Sequence, residues 1–413
     1  MSHPGSYWPL VASLAALGPV ACGSPPSVVV QPSGTSYDSA TVEPVASGVV
    51  HRRLVAREGP FTIQVLEIDL RRSDLSVRGA RALDSLRGRE RTSDIARRRA
   101  RGGAEVIAAV NADFFSLRTG ENENNQVIDG EVFKAVPVTD SPFDSLHTVH
   151  SQFGMTCEGK PVIDRFAFDG AVMTAPPAAA ILPLDAVNFR PRGDAMVLYT
   201  ARYGTTPSDS AAGVAVELPL RLANRRGDTL YYRSDGPPVT GGGLALRETQ
   251  AALSATGIAA DLLRRVAASL APSSQLRVVT GFKPKRGRLC TLVGGWPRLI
   301  VDGRSIADSV DRIEGTFPRF SVTRHPRTGV GFSRDSTTLY LLTVDGRSES
   351  SSGMSLVELA ALMRSLGVHQ GMNFDGGGST TMVIRGQVVN HPSDSTGERT
   401  VGNAVLVVRG KRG

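Results

Sequence analysis

The sequence predicts an α+β fold of mixed, largely antiparallel strands with few helices, gathered into one large domain. Three observations carry this. Short segments alternate apolar and polar residues, as half-buried strands do. Only three segments hold a helical period. And 44 Gly with 25 Pro among 413 residues punctuate the chain with turns without making it low in complexity.

The elements follow in order. LVAREGPFTIQVLEIDL and LSVRGARAL alternate from about Val49 and read as strands. A helix is expected near Ser93–Arg101, with Ser93 as cap and Gly102-Gly103 as stop, its run Arg97-Arg98-Arg99 with Arg101 forming a solvated face. AEVIAAVNADFF is an apolar strand running into polar Asn111 and Asp113, and residues 122–130 are polar and loop-like. Strands resume at QFGMTCEGKPVID and AMVLYT. From 216 to 264 the pattern changes to a variable insert, in which VELPLRLA and TLYYRS precede a helix, GIAADLLRRVAASL, between Gly257 and Pro272. RVVTGF and CTLVGGWPRLIVDG are strands with Gly-marked bends. The third helix-forming period places Leu356, Leu359, Leu362 and Met363 on one stripe. Ser355 with Glu358 three positions on completes a capping box, and Gly367 ends the helix.

Composition excludes several classes. The chain is 41% hydrophobic and 21% charged, which is neither a disordered chain nor a polytopic membrane protein. The net charge of +8 does not point to nucleic acid. Only five of the 47 basic residues are Lys, the Arg are spread over the whole length, and no aromatics interleave with the one dense run to stack bases. No nucleic-acid partner is expected, and a small anionic substrate met by a few placed Arg suits the pattern better.

The amino terminus reads as an export signal. Tyr7–Ala21 is apolar, about as long as a signal-peptide core and too short to span a bilayer. It ends at Cys22, so residues 1–22 are expected to be a lipoprotein-type signal and Cys22 a lipid anchor, the only expected membrane contact. Residues 23–48 follow as a flexible linker, and 49–410 form the domain. Cys157 and Cys290 lie outside any CxxC pattern, and their spacing leaves open whether they pair.

Four segments can carry chemistry. In Asn373-Phe374-Asp375-Gly376-Gly377-Gly378-Ser379-Thr380-Thr381, Asn373 and Asp375 share a strand face. The glycine amides, beside the Ser379 and Thr380 hydroxyls, suit an anion-binding nest. Arg324 and Arg327, around His325 and Pro326, can present a planar fork to phosphate. Asp113 beside Phe114-Phe115 is a candidate acid of raised pKa, with Asn111 on the same strand end, or a turn cap in front of core aromatics. Glu398 and Arg399, in a polar loop with His391 and Asp394, bind sugar hydroxyls or phosphate, or pair on the surface. Asp345 and Gly294-Gly295 are weaker candidates of the same kind.

These segments in this order (VNADFF, VGGWPRLIVDG, RHPRTGVGFSRD, LYLLTVDGRS, NFDGGGSTTMVI and HPSDSTGERTVGNAVLV) resemble the phosphodiester glycosidase family. The resemblance implies that 49–410 is a catalytic domain cleaving a sugar-1-phosphodiester at the anomeric carbon, releasing free sugar and a phosphomonoester. It implies an exported location in the bacterial cell envelope, periplasm or outer surface. Asp375 is the expected carboxylate at the sugar, with Asp113 or Glu398 as the second. Arg324, Arg327 and the Gly376, Gly377 and Gly378 amides are expected at the phosphate, and Asn111, Asn373 and Arg399 at hydroxyls. A calcium or magnesium ion held by Asp375, Asp113 and phosphate oxygens would suit such hard oxygen ligands. The competing reading is a non-catalytic surface module that binds anionic glycan with the same groups.

Overall fold

The computed structural model describes residues 37–410, apart from 102, 143, 175–179, 191–192, 209–213 and 271–273. The expected signal, Cys22 and most of the expected linker lie outside the described residues. The linker's last part is a strand, Ser39–Ala46, paired antiparallel with Val49–Ala56.

Strands dominate: the largely antiparallel strands and few helices are as expected, but the chain is mainly β rather than a full α+β body. The described α-helices are α1 (Thr92–Ala100), α2 (Ile258–Ala268), α3 (Val310–Glu314), α4 (Pro318–Val322) and α5 (Leu356–Ser365). An eight-stranded sheet runs from Ser39–Ala46 through Phe61–Asp69, Thr338–Val344, Arg327–Phe332 and Gln370–Asn373 to Arg298–Val301 and Arg304–Ser305. A five-stranded sheet contains Glu105–Asn111 between Met382–Ile384 and Asn403–Arg409. A second five-stranded sheet holds Gln152–Thr156, Leu289–Gly294, Gln126–Ile128 and Glu131–Lys134. One core joins these three, with Leu66 and Met372 from the first, Val110 and Val405 from the next, and Phe153 and Val293 from the last all buried together. Residues 216–264 belong to a separate nine-stranded sheet whose own apolar core takes in Leu263 and Val266 of α2.

The helix expectations fare unevenly. At α5 the capping box is complete: Ser355 Oγ accepts from the Glu358 amide, and the Glu358 carboxylate accepts from the Ser355 amide at 2.8 Å. Its predicted stripe is buried, and Gly367, at φ +88°, follows it. α2 starts after Gly257 as expected. At α1, however, Ser93 is not the cap but lies inside the first turn. Its amide and hydroxyl donate instead to Glu398, at 2.8 and 2.6 Å. Nor is the arginine run simply solvated, since Arg98 binds Glu90 and Asp84 and Arg99 binds Asp129. Cys157 and Cys290 are disulfide-bonded, their Cα atoms 4.8 Å apart. The bond ties together the ends of neighbouring strands, and the pairing that spacing left open is thereby settled.

Candidate active site

Two Asn-x-Asp segments from different sheets meet at the centre. The strand Gln370–Asn373 leaves its sheet after Asn373, and the next residues cross to the end of Glu105–Asn111. There the Asp375 amide donates to the Ala112 carbonyl at 2.7 Å. Asn111 locks the junction: its Nδ2 donates to the Asp375 carbonyl at 2.6 Å, and its Oδ1 accepts from Thr328 Oγ1 and the Thr381 amide at 2.8 and 3.1 Å. With both ends spent, Asn111 has a structural role, not the expected one at substrate hydroxyls. Asn373 is likewise tied through Nδ2 to the Trp296 carbonyl at 2.7 Å, although its Oδ1 is buried without a partner.

Asp113 is 2% exposed. Its amide donates to Asn403 Oδ1 at 2.9 Å, and its carboxylate accepts from Asn124 Nδ2 at 2.7 Å. Asn124 is itself held by the Thr139 hydroxyl at 2.9 Å. The Gly294-Gly295 pair is needed here. A side chain on Gly294 would overlap the Asp113 carboxylate and the Asn124 amide, and one on Gly295 would lie 2.6 Å from the Phe374 ring.

Burial pushes the Asp113 carboxyl up to about 7, against the opposing pull of Asn124 and Lys134, and the Asp375 charge adds to the rise. Asp375, partly open to solvent, is pushed up to about 6 by its packed surroundings, with the Ser379 hydroxyl, Arg399 and the Gly376 amide pulling the other way. A third carboxyl joins them. Burial and then the Asp113 charge push Glu123 up to about 8, and Asp375 contributes too. Three mutually repelling acids titrate as a unit, so at neutral pH the cluster holds both ionised and protonated carboxyls. Sequence reasoning missed Glu123, Asn124 and Asn403. The only available signal for the first two was the density of acids and amides in GENENNQ, which read as an ordinary polar loop.

The glycine turn differs from the expected open nest. The Gly377 amide donates to the Pro326 carbonyl at 2.9 Å, and the Gly376 amide is turned to Asp375. The glycines serve close approach instead. A Cβ on Gly376 would lie 2.6 Å from the Pro326 oxygen, and one on Gly378 would collide with Asp394 and Arg399. Gly377, at φ +59°, lies under the Arg347 guanidinium, with a Cβ there falling 3.1 Å from Nη2. The Ser379 Oγ and Thr380 Oγ1 beside the turn are buried without a well-aligned partner, as at a site that a ligand or water completes.

The expected Arg324–Arg327 phosphate fork is absent. Arg327 is 1% exposed and donates to the carbonyls of Met354, Phe320 and Thr323 at 2.9, 2.9 and 3.0 Å. Arg324 turns away, pairing with Glu358 and lying over the Phe61 ring at 5.1 Å. Arg327→Ala should therefore lower stability by about 3–5 kcal/mol, since three buried carbonyls lose a charged donor. Arg324→Ala should leave turnover within about twofold of the parent, as for other surface changes. Denaturant melts and initial rates of the two variants check this pair of expectations.

Glu398, committed to Ser93 of α1, is not the second carboxylate. Arg399 does reach the site, but as a bidentate partner of Asp394 at 2.7 and 2.9 Å, packed on Gly378. Asp345 accepts from the His391 amide and Asn390 and is structural. The cation left to face the turn is Arg347, which is exposed and has no ion-pair partner among the described residues. His325 lies in the same positive field: burial, then the charges of Arg327, Arg347 and Arg319, hold it below its usual range. Aromatic rings close the other side, with Trp296 stacked on His150 at 4.7 Å and on Phe320 at 5.3 Å, and Phe114 edge-on to Trp296 at 6.3 Å. Among the described residues no group of three or more His, Cys, Asp or Glu is arranged to hold a metal ion. A cavity of about 380 Å³ opens in the nine-stranded sheet, but none of the three carboxyls lines it.

A family model described as phosphodiester glycosidase matches residues 225–408. The N-acetylglucosamine-1-phosphodiester alpha-N-acetylglucosaminidase of Mus musculus is 39% identical over 80 residues, which is 19% of this chain and 15% of that protein. The Bos taurus protein of the same name is 41% identical over 80 residues, again 19% and 15%. An uncharacterized prophage-derived protein of Bacillus subtilis, YomE, is 37% identical over 84 residues, 20% of this chain and 13% of that one. The chain thus aligns with only about a seventh of these relatives' length. In solved structures, a hypothetical protein from Synechocystis shares the fold at TM-score 0.67 and 18% identity, covering 90% of this chain and 64% of its own.

Proposed function

Because the chain belongs to the phosphodiester glycosidase family through residues 225–408, we propose that it hydrolyses a sugar-1-phosphodiester at the anomeric carbon, releasing free sugar and a phosphomonoester. The observation that carries the reading is the carboxyl cluster, in which Asp375 and Asp113 are brought together by the Asn111 junction and tuned apart by burial.

Breaking the C1–O bond sends its electron pair to the phosphate oxygen and builds positive charge on the sugar ring. Asp375, the most acidic of the three and partly open to solvent, faces that charge as carboxylate. Asp113 and Glu123 hold protons more tightly and serve as hydrogen-bond donors to sugar oxygens. The departing phosphate needs little protonation but does need a cation, and Arg347 over Gly377 supplies one. Water oxygen ends on the anomeric carbon, and the proton it sheds passes to the released phosphomonoester.

Hydrolysis of a chromogenic sugar-1-phosphodiester in heavy-oxygen water should place the label in the sugar. Label in the phosphate would mean P–O cleavage, and no sugar release would favour the binding-only module. Arg347→Ala should raise KM about tenfold or more while leaving melting temperature unchanged, since its partner is the substrate phosphate. An unchanged KM would remove Arg347 from the site. The reading also includes export to the cell envelope and a lipid anchor at Cys22. The Cys157–Cys290 bond supports an oxidising compartment.

A further inference from the structure

Resting on that reading, the structure also carries information about the far side of the phosphate. Leu146, Ile313, Phe317 and Val322 are 43, 40, 43 and 70% exposed, and Phe317 is the one strongly exposed aromatic among the described residues. They are neighbours. The Ser145 amide donates to the Gly315 carbonyl at 3.0 Å, Asp144 bridges Thr316, and a Cβ on Gly315 would lie 2.8 Å from Leu146 Cγ. Ile313 and Phe317 lie two positions either side of Gly315, and Val322 ends the short helix that follows.

The segment carrying this rim packs against the site, where Arg327 beside the glycine turn donates to the Phe320 and Thr323 carbonyls. Phe320 on α4 stacks on Trp296 and lies 6.2 Å from Phe114, the residue after Asp113. On the same helix the Arg319 charge acts on His325 together with that of Arg347. A ligand whose phosphate sits at Arg347 has cations and then exposed apolar side chains beside it. That order matches an anionic head followed by an apolar tail, and it does not match a second sugar, which would meet hydroxyl and amide groups.

We propose that the α3–α4 rim is the subsite for the alcohol beyond the phosphate, and that this alcohol carries an apolar chain. The substrate class is a sugar-1-phosphate esterified to a lipid-like alcohol. Burying each methylene against the rim is worth a few-fold in affinity.

The test compares methyl and decyl diesters of one sugar-1-phosphate, with the full chain and with Phe317→Ser/Val322→Ser. For the parent, kcat/KM should favour the decyl diester by about tenfold or more through KM. In the double variant that ratio should fall to within about twofold of one. Both positions are exposed, so the fold should survive the change. A parent ratio near one overturns the proposal. So does an unchanged ratio in a variant that has lost self-association, which would assign the rim to a second copy of the chain. Calorimetry with methyl and decyl phosphate separates this proposal from the reading it rests on. If no diester is cleaved, the hydrolytic reading fails, and the rim then stands or falls on whether decyl phosphate binds about tenfold tighter than methyl phosphate.

Discussion

Asp375→Asn is expected to lower kcat for a sugar-1-phosphodiester by about a thousandfold, within the range for loss of a positioned catalytic carboxylate, and to leave the protein folded. The amide keeps the shape of the carboxyl. It can still accept from the Gly376 amide, but it can no longer oppose positive charge on the sugar. Because burial disfavours the ionised acid, the substitution should hold or raise the melting temperature at neutral pH while abolishing turnover. Near-normal turnover would refute the assignment. The parent's pH profile follows from the same groups. kcat/KM should rise with pH through about 6 as Asp375 ionises. It should fall again between about 7 and 8 as Asp113 and Glu123 lose their protons. Asp113→Asn should remove or shift the alkaline limb, and a limb left in place would assign it to Glu123.

The same cluster sets a stability trend. All three carboxyls have folded-state pKa values raised above those of the unfolded chain, so the folded protein binds protons there more tightly. Their contribution is complete in acid, below about pH 4, and is lost as pH rises through 6 to 8.

Gly294→Ala is expected to do nearly as much damage from a position that touches no substrate. Its methyl group would occupy the space of the Asp113 carboxylate and the Asn124 amide. Both neighbours are hemmed in, Asp113 by Asn403 and Asn124 by Thr139, so the overlap cannot be relieved by turning a flexible side-chain end into solvent. The expected result is a loss of about 2–3 kcal/mol in stability, typical of overpacking, together with a fall in kcat of about a hundredfold as the acid is pushed out of register. The outcome that contradicts this is a variant with the parent's melting temperature and pH profile. The Gly295 site gives a useful contrast, since a methyl there presses on the Phe374 ring and on Asn373 and Met372. It should therefore lower stability with less effect on the acidity of the cluster.

Much of the site's local character could be read along the chain. Three glycines after an Asp, the capping box at Ser355 and Glu358, and paired glycines before Trp296 each follow from steric or hydrogen-bonding demands met within a few residues. So does the alternation that marks the strands. What tertiary structure decided was partner choice and burial. Arg324 and Arg327 look alike in sequence, but one pairs with Glu358 on α5 and the other is consumed by three carbonyls. Arg347, unremarkable beside Asp345, is the one laid over the glycine turn. Glu398 and Glu123 changed places for a similar reason: a helix start claimed the first, and packing against Asp113 raised the second. A side chain's type states which bonds it can form. Which bond it does form depends on what distant segments bring within about 3 Å and how much water they exclude.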